Sequence, residues 1–345
     1  VKAVVVSNFG GPSVLEVKEV PEPKPGPYDV QVAIKAASVN HLDLDIRAGK
    51  SRLPVILPCI LGREGAGVVE QVGSQVVNIK QGDRVIVGSY FFCGECEFCS
   101  KGLIQLCQNM KRPGINTQGT YAEKIIAPAK AVYKIPENLD LYQACTLQLS
   151  FGTAWHALFQ RANIKPGQVV LISGAAGGVG SAAIQLAKLA STIVIAVVGS
   201  DEKDTFVKSL GADYCINYTK SDILQDIMHI TNGQGVDIVL DGVGGSLLAT
   251  LMQCLVTSGT YITFGAHGGE YASLDIIEFF RGYKSFIAST GWTKIDIEQI
   301  VRLASSGKIK IPIHQVLPLD KALSAHELLE KRQITGKVIL STTQA

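Results

Sequence analysis

The sequence predicts an α/β protein of two domains, one of them built on a doubly wound parallel sheet. Three observations carry this expectation. The chain has 345 residues, well beyond one ordinary domain of about 150. Up to about Leu149 its apolar segments are short, β-rich and punctuated by turns. After Phe151 apolar strands alternate with amphipathic helical stretches, the rhythm of a parallel sheet. The expected boundaries are 1–150 with 290–345 for the β-rich domain and 151–289 for the doubly wound one.

In the first domain, Val30, Val32, Ile34 and Ala36 alternate with Gln31, Ala33 and Lys35, which predicts a strand with one buried face. Val68-Val69, Val76-Val77 and Val85-Ile86-Val87 read as further strands, separated by Gly73, Gly82 and Asp83. Pro21, Pro23, Pro25 and Pro27 mark an extended connection, because proline suits neither helix interior nor central strand. In the second domain, residues 169–173, 193–198, 214–217, 236–240, 261–264 and 285–289 read as buried strands, with helices at 182–190 and 221–230. A helix at 298–305 and a strand near 337–340 close the chain, returning to the first domain.

Composition narrows the function classes. Apolar residues are 47% and charged residues 18%, which excludes a disordered chain. Lysine plus arginine, 32, against aspartate plus glutamate, 30, lacks the basic excess of a nucleic-acid or acidic-membrane binder. No apolar run reaches the roughly 18 residues of a spanning helix, and residues 1–7 are too short for a signal-peptide core. A cytoplasmic enzyme acting on a small molecule is the expectation.

The eight cysteines fall into two groups. Cys59, Cys145, Cys215 and Cys254 lie in or beside apolar stretches, where a thiol packs as a small hydrophobe. Cys93, Cys96 and Cys99 follow one another at intervals of three, with Cys107 eight residues later. Thiols so crowded do not pair efficiently as disulfides, and four thiolates with two-residue spacers suit one tetrahedral zinc. An iron–sulfur cluster begins the same way, but its fourth ligand usually follows three residues on and precedes proline; here the gap is seven and Gln108 follows. One closed, structural zinc in a lobe spanning 93–107 is predicted.

Gly174-Ala175-Ala176-Gly177-Gly178-Val179-Gly180 joins the first predicted strand of the sheet to its first helix. Glycines allow the tight turn and the close approach of backbone amides to a pyrophosphate, and the helix N-terminus adds partial positive charge. The strand–loop–helix setting makes this a dinucleotide site. At the end of the second strand, NAD enzymes usually place a carboxylate for the ribose hydroxyls. This chain has Val198-Gly199-Ser200 before Asp201-Glu202-Lys203. Small residues leave room for a 2′-phosphate to which Ser200 and Lys203 can donate, so NADPH is expected over NADH. Asp241 and Phe264-Gly265-Ala266 follow the fourth and fifth strands, and such sheets bind ligands at those ends.

On these motifs the chain resembles the medium-chain dehydrogenase/reductase superfamily over essentially its whole length. The cysteine lobe is similar to that family's structural zinc loop. Gly62-Arg63-Glu64-Gly65-Ala66-Gly67 is similar to its GHExxG signature, and the glycine loop and Tyr218 also fit. The resemblance implies a GroES-like β-barrel catalytic domain, a Rossmann cofactor domain, an active site in the cleft between them, and a homodimer or homotetramer. The zinc alcohol dehydrogenases of the superfamily carry a second, catalytic zinc. Its ligand positions match Asn40, Arg63 and Leu149 here, none a competent ligand, and the hydroxyl of the alcohol proton relay is replaced by Leu42. The stretch from Ala36 to Asp43, with Arg47 and Gly49, resembles the quinone oxidoreductase and enoyl reductase branch, most members of which lack the cysteine lobe.

That branch reduces quinones or α,β-unsaturated carbonyls with NADPH and without catalytic metal. The candidate catalytic residues are Asn40, Asp43 and Arg63. Arg63 either faces the developing enolate or satisfies the carboxylates of Asp43 and Glu64, and the second role is favoured. Asn40 either bonds near the nicotinamide or caps a helix. By the same resemblance, Thr153 touches the nicotinamide, His41 approaches the cofactor phosphates, and Tyr218 joins Ser200 in the 2′-phosphate pocket. The alternatives are an alcohol or carbonyl dehydrogenase with a non-metal acid, or a weakly catalytic NADPH-binding sensor.

Overall fold

A computed structural model describes residues 1–343. The chain divides into two compact units, Val1–Leu149 joined by the stretch from Trp292 onward, and Ser150–Gly291. Among the described residues no helix is long and apolar enough to cross a membrane.

The first unit is built on the long strand Asp29–Val39. It pairs antiparallel with Glu64–Val72 on one side and with Lys337–Ser341 and Lys124–Pro128 on the other. The seven-stranded sheet continues through Arg84–Val87 to Val132–Lys134, and Ile313–Pro318 lies parallel to Lys337–Ser341. A second sheet holds Leu15–Glu19, Lys2–Val6 and Cys59–Ile60. Val4, Val6 and Leu15 from it share one apolar cluster with Val30, Val32, Ile34, Val85 and Leu340 from the first.

Two expectations for this unit are corrected. Gln31 and Ala33 are buried along with their apolar neighbours, because both faces of the strand are covered. The proline-rich connection does part of this: Gln31 Nε2 donates to Pro23 O at 2.7 Å and to Glu22 Oε1 at 3.2 Å. Val76-Val77 is loop and Val77 is 88% exposed; two β-branched residues do not make a strand without a partner to pair with.

The second unit holds six parallel strands in the order Tyr214–Asn217, Ile193–Val198, Val169–Ile172, Val236–Asp241, Leu255–Thr263, Ser285–Ala288. Helices Gly178–Leu189, Glu202–Ser209, Ile223–Ile230 and Leu247–Gln253 connect the first five. The order reverses beside Val169–Ile172, which puts a crevice at its carboxyl end, where the glycine loop follows. The returning stretch of the first unit adds a helix, Ala322–Glu330, and before it the helix expected at 298–305 starts four residues earlier, at Lys294. Thr293 and Asp296 form its capping box: Thr293 N–H donates to Asp296 Oδ2 at 2.8 Å, and Asp296 N–H to Thr293 Oγ1 at 3.3 Å.

Candidate active site

The four clustered cysteines meet. Their sulfurs all lie within 4.8 Å of one another, with Cys93 3.9 Å from Cys99 and 3.5 Å from Cys107. Four thiolates at about 2.3 Å from a zinc sit about 3.8 Å apart, so the set fits the ion. Backbone amides support it: Cys96 N–H donates to Cys93 Sγ at 3.4 Å and Cys93 N–H to Cys107 Sγ at 3.2 Å. Amides of Glu95 and Cys96 draw the Cys93 thiol down to about 6, which favours the thiolate a metal needs. Of the other cysteines, Cys59, Cys145 and Cys254 are buried and Cys215 half-buried. Burial pushes Cys59, Cys215 and Cys254 up to about 12, the mark of inert packing thiols.

Asn40, Arg63 and Leu149, far apart in sequence, gather around Glu64. Glu64 is fully buried; its Oε1 accepts from Asn40 Nδ2 at 3.3 Å and its Oε2 from Leu149 N–H at 2.9 Å. The counter-ion is Lys337, whose Nζ lies 3.3 Å from Glu64 Oε1 and also donates to Val39 O and Asn40 Oδ1. Asn40 therefore caps the helix His41–Arg47 and at the same time bridges Glu64 to Lys337. Gly62 lets this corner close: its φ is +98°, and a Cβ there would come 2.5 Å from Thr120 Oγ1 and 2.7 Å from Tyr121 N.

Arg63 does not satisfy the two carboxylates, contrary to the role favoured from sequence. Its Nη2 donates to Ser89 O at 3.2 Å, its guanidinium lies 5.8 Å from the Tyr90 ring centre, and its Nε is buried with no partner among the described residues. Lys337 serves Glu64 instead, and Asp43 is held by neutral donors. Asp43 Oδ2 accepts from Asn40 N–H at 2.9 Å and from Tyr121 OH at 3.2 Å, while Oδ1 has no partner. Burial raises the Asp43 carboxyl to about 6, with Arg63 and Lys337 opposing at a distance. Behind Tyr121, His326 Nε2 lies 3.5 Å from the hydroxyl and Nδ1 3.3 Å from Arg47 Nη1. Leu42 packs against the core.

Lys337, Tyr121, Tyr90 and His326 were not singled out from sequence as functional. Lys337 left one signal, a charge opening the apolar run Val338-Ile339-Leu340. Its partner lies 273 positions away, which no local pattern reveals.

In the second unit the glycine loop has the expected form. Gly174 has φ +57°, and a Cβ there would meet only Val243 at 3.8 Å, so its glycine serves the turn. Gly180 serves closeness, because a Cβ would lie 2.5 Å from Gly174 O. Gly177 precedes the helix that opens at Gly178 and Val179, whose first amides have no intrahelical acceptor. Tyr218 lies against Gly199, where a Cβ would come 2.8 Å from the phenol oxygen; Ser200 is half-buried and Lys203 N–H donates to Ser200 O at 3.3 Å. Asp201 is committed to Asn217 Nδ2, at 2.6 Å, and to Lys220. Phe264 and Gly265 are half-buried and Ala266 exposed at the carboxyl end of the sheet.

Asp241 departs from its expected place facing the cofactor. It is fully buried and its oxygens accept from Ser173 Oγ, Val243 N–H at 3.0 Å, Gly244 N–H at 2.8 Å and Tyr261 OH at 2.6 Å. A carboxylate so saturated shapes the following loop. Thr153 is half-buried in a helical turn of this unit, and the exposed His41 opens the helix His41–Arg47 of the first.

Residues 26–137 match the alcohol dehydrogenase GroES-like domain family, and residues 210–340 the zinc-binding dehydrogenase family. The NAD-dependent alcohol dehydrogenase of Sulfolobus acidocaldarius is 34% identical over 99% of this chain and 100% of its own. A solved structure of an NAD-dependent alcohol dehydrogenase superposes with a TM-score of 0.95 at 38% identity, covering 99% of this chain and 100% of that one. A quinone oxidoreductase of Pseudomonas syringae superposes with a TM-score of 0.82 at 30% identity, covering 99% of both chains. Likeness of this extent, joined to the cysteine lobe and the glycine loop, makes the chain an oxidoreductase of the medium-chain dehydrogenase/reductase superfamily.

Proposed function

We propose that the protein reduces an α,β-unsaturated carbonyl compound or a quinone with NADPH, with no metal acting on the substrate. The donor set around Glu64 carries this reading. By the family resemblance, Asn40, Arg63 and Leu149 match the positions where zinc alcohol dehydrogenases hold their catalytic metal, and they offer an amide, a cation and an alkyl group. Two cations, Arg63 and Lys337, already serve the site.

Bound reduced nicotinamide supplies the hydride. Its addition to the substrate leaves negative charge on the carbonyl oxygen, which a preorganised donor must stabilise. Arg63 is that donor: it is 2% exposed, has an unpartnered Nε, and stands in a low-dielectric setting where charge stabilisation is strongest. Asp43 is a positioning residue, accepting from the Asn40 backbone N–H and so fixing the start of the helix that carries Asn40. NADPH is preferred because Ile193–Val198 ends in Gly199-Ser200 with Tyr218 alongside, and Asp201 is occupied by Lys220 and Asn217.

The names of the alcohol dehydrogenase relatives favour a rival reading, oxidation of alcohols with NAD. Initial rates with enones, quinones and aldehydes, each with NADPH and NADH, against primary alcohols with NADP+ and NAD+, decide between them. Turnover of enones or quinones with NADPH at least ~10-fold above the other combinations is expected, and Arg63→Ala lowers kcat about 10²–10³-fold. Faster alcohol oxidation with NAD, or full enone turnover in Arg63→Ala, overturns the proposal.

A further inference from the structure

The first unit carries a groove of about 980 Å³ whose lining includes none of Asn40, Arg63 and Glu64. Its size is that of a small-molecule pocket. One wall is the helix Lys294–Ser305, whose start is fixed by the Thr293–Asp296 capping box. Lys294, Ile297, Glu298, Val301 and Arg302 line the groove, and their spacing of three and four puts them on one face of that helix. Phe92, beside the cysteine lobe, and the loop residues Val76 and Val77 line it too. Val76-Val77 thus has a place although it forms no strand: the exposed Val77 puts apolar surface on the groove.

Charge along the groove is uneven. Lys111, Lys130, Lys134, Lys294 and Arg302 line it, against Asp29 and Glu298. Three of the cations are engaged. Lys134 pairs with Asp83 at 2.8 Å, Lys294 lies 4.0 Å from Glu298, and Lys130 donates to Cys93 O with its Nζ 5.7 Å from the Phe92 ring centre. Lys111 and Arg302 are exposed and have no ion pair or side-chain hydrogen bond among the described residues; Asp29 is the one lining carboxylate in the same condition. Two uncommitted cations against one carboxylate favour an anion in the groove. Val301 is the chain neighbour of Arg302, and Ile297 lies one helical turn before Val301, so apolar surface adjoins the uncommitted guanidinium.

We propose that this groove is a second ligand site, taking a small amphipathic anion whose apolar body lies on Ile297, Val301 and Phe92 and whose charged head is held by Arg302. A planar guanidinium suits a carboxylate head because two parallel N–H donors match two oxygens. Lys111 adds a field of the same sign. The site does not depend on the reductase reading, since the residues that carry that reading are absent from its lining.

Equilibrium dialysis of 2-naphthoate and of 2-naphthamide, which is nearly the same shape but uncharged, tests this on the full chain with NADP+ and NAD+ both in excess to fill the cofactor site. Naphthoate is expected to bind at one site per chain at least ~5-fold more tightly than the amide, the upper range of one exposed charge pair. The preference should shrink as salt rises. Arg302→Met removes most of it and Lys111→Met part of it, both leaving amide binding and the melting temperature unchanged, since neither side chain has a partner to lose. Val77→Ser weakens both ligands alike, by about 3-fold for the lost apolar contact. Equal binding of acid and amide by the wild type, or a preference that survives with Arg302 and Lys111 both replaced by Met, overturns the proposal. Binding that weakens as protein concentration rises would assign the groove to a second copy of the chain and overturn it as well.

Discussion

Two polar clusters in the first unit solve the problem of buried charge in opposite ways. The cysteine lobe draws its four thiols from one short stretch, 93–107, and supports them with its own backbone amides. The Glu64 cluster draws Asn40, Arg63, Leu149 and Lys337 from four distant segments and neutralises its carboxylate with a lysine from the last strand. Where four thiolates gather and the one lysine at the lobe, Lys130, bonds the Cys93 carbonyl, the compensation is expected from an ion. Where a lysine and an arginine are already present, a further cation would be repelled. Under the proposed function, the difference teaches that a metal's place can be kept in one lobe and given over to protein charge in another.

Breaking the first cluster has the largest expected effect. Elemental analysis of purified protein should find one zinc per chain, and Cys107→Ser should reduce it to none. Structural zinc sites contribute on the order of 10 kcal/mol where they hold a small fold together. The lobe is attached to a larger core, so a loss of several kcal/mol and protease cleavage within 93–107 are expected, with the remainder still folded. Two zincs per wild-type chain would mean that the Glu64 cluster binds metal after all, and the contrast would collapse.

Breaking the second cluster comes next. Lys337→Met leaves Glu64 fully buried without its counter-ion, and removing one partner of a buried pair costs about 3–5 kcal/mol. Adding Glu64→Gln should recover most of that loss, because the amide oxygen still accepts from Leu149 N–H. Denaturant melts of the two single variants and the double variant read the coupling. A double variant no more stable than Lys337→Met alone would show that the lysine acts by packing rather than by charge.

The same contrast decides what sequence reveals. The cysteine spacing is local chemistry, and so is the glycine loop between Val169–Ile172 and its helix; both are legible because neighbours in sequence do the work. The six strands of the second unit are legible for a related reason, since each is a short local run. Residues 214–217 and 285–289, expected to be buried, form the sheet's two edges with only one flank paired, and most of them are exposed or half-buried. The Glu64 cluster is illegible beyond its signature motif, because Lys337 reaches it only when Lys337–Ser341 pairs with Asp29–Val39. Asp241 shows the same limit from the other side: its position at a strand end is readable, but the four donors that bury it are not. The resemblance sets Arg63 beside Asp43 and Glu64 or facing the enolate, whereas geometry gives Glu64 to Lys337 and Asp43 to neutral donors.

The smallest predicted effect lies in how two groups on either side of Tyr121 respond to acid. Burial holds His326 neutral, its pKa lowered to about 3, whereas the unfolded chain protonates it near ~6.5. Because the unfolded state binds that proton first, stability present above pH ~6.5 is lost as pH falls toward 3. Asp43 has the opposite sign: raised to about 6 by burial, against ~3.9 unfolded, it takes a proton earlier in the folded state. Stability therefore rises as pH falls from 6 to about 4. Between pH 4 and 6 the two slopes oppose each other, each near ~1.4 kcal/mol per pH unit, and their sum is close to flat. Below pH 4 only the histidine acts, and stability falls. His326→Gln should uncover the Asp43 slope, so that the variant gains relative to wild type as pH drops from 6 to 4. Asp43→Asn should uncover the histidine slope, so that the variant loses stability relative to wild type as pH drops from 6 to about 4. Urea melts at half-unit pH intervals measure both differences against wild type. Parallel profiles for all three proteins would mean that neither group titrates differently on folding, and that the buried pair flanking Tyr121 is more hydrated than its packing implies.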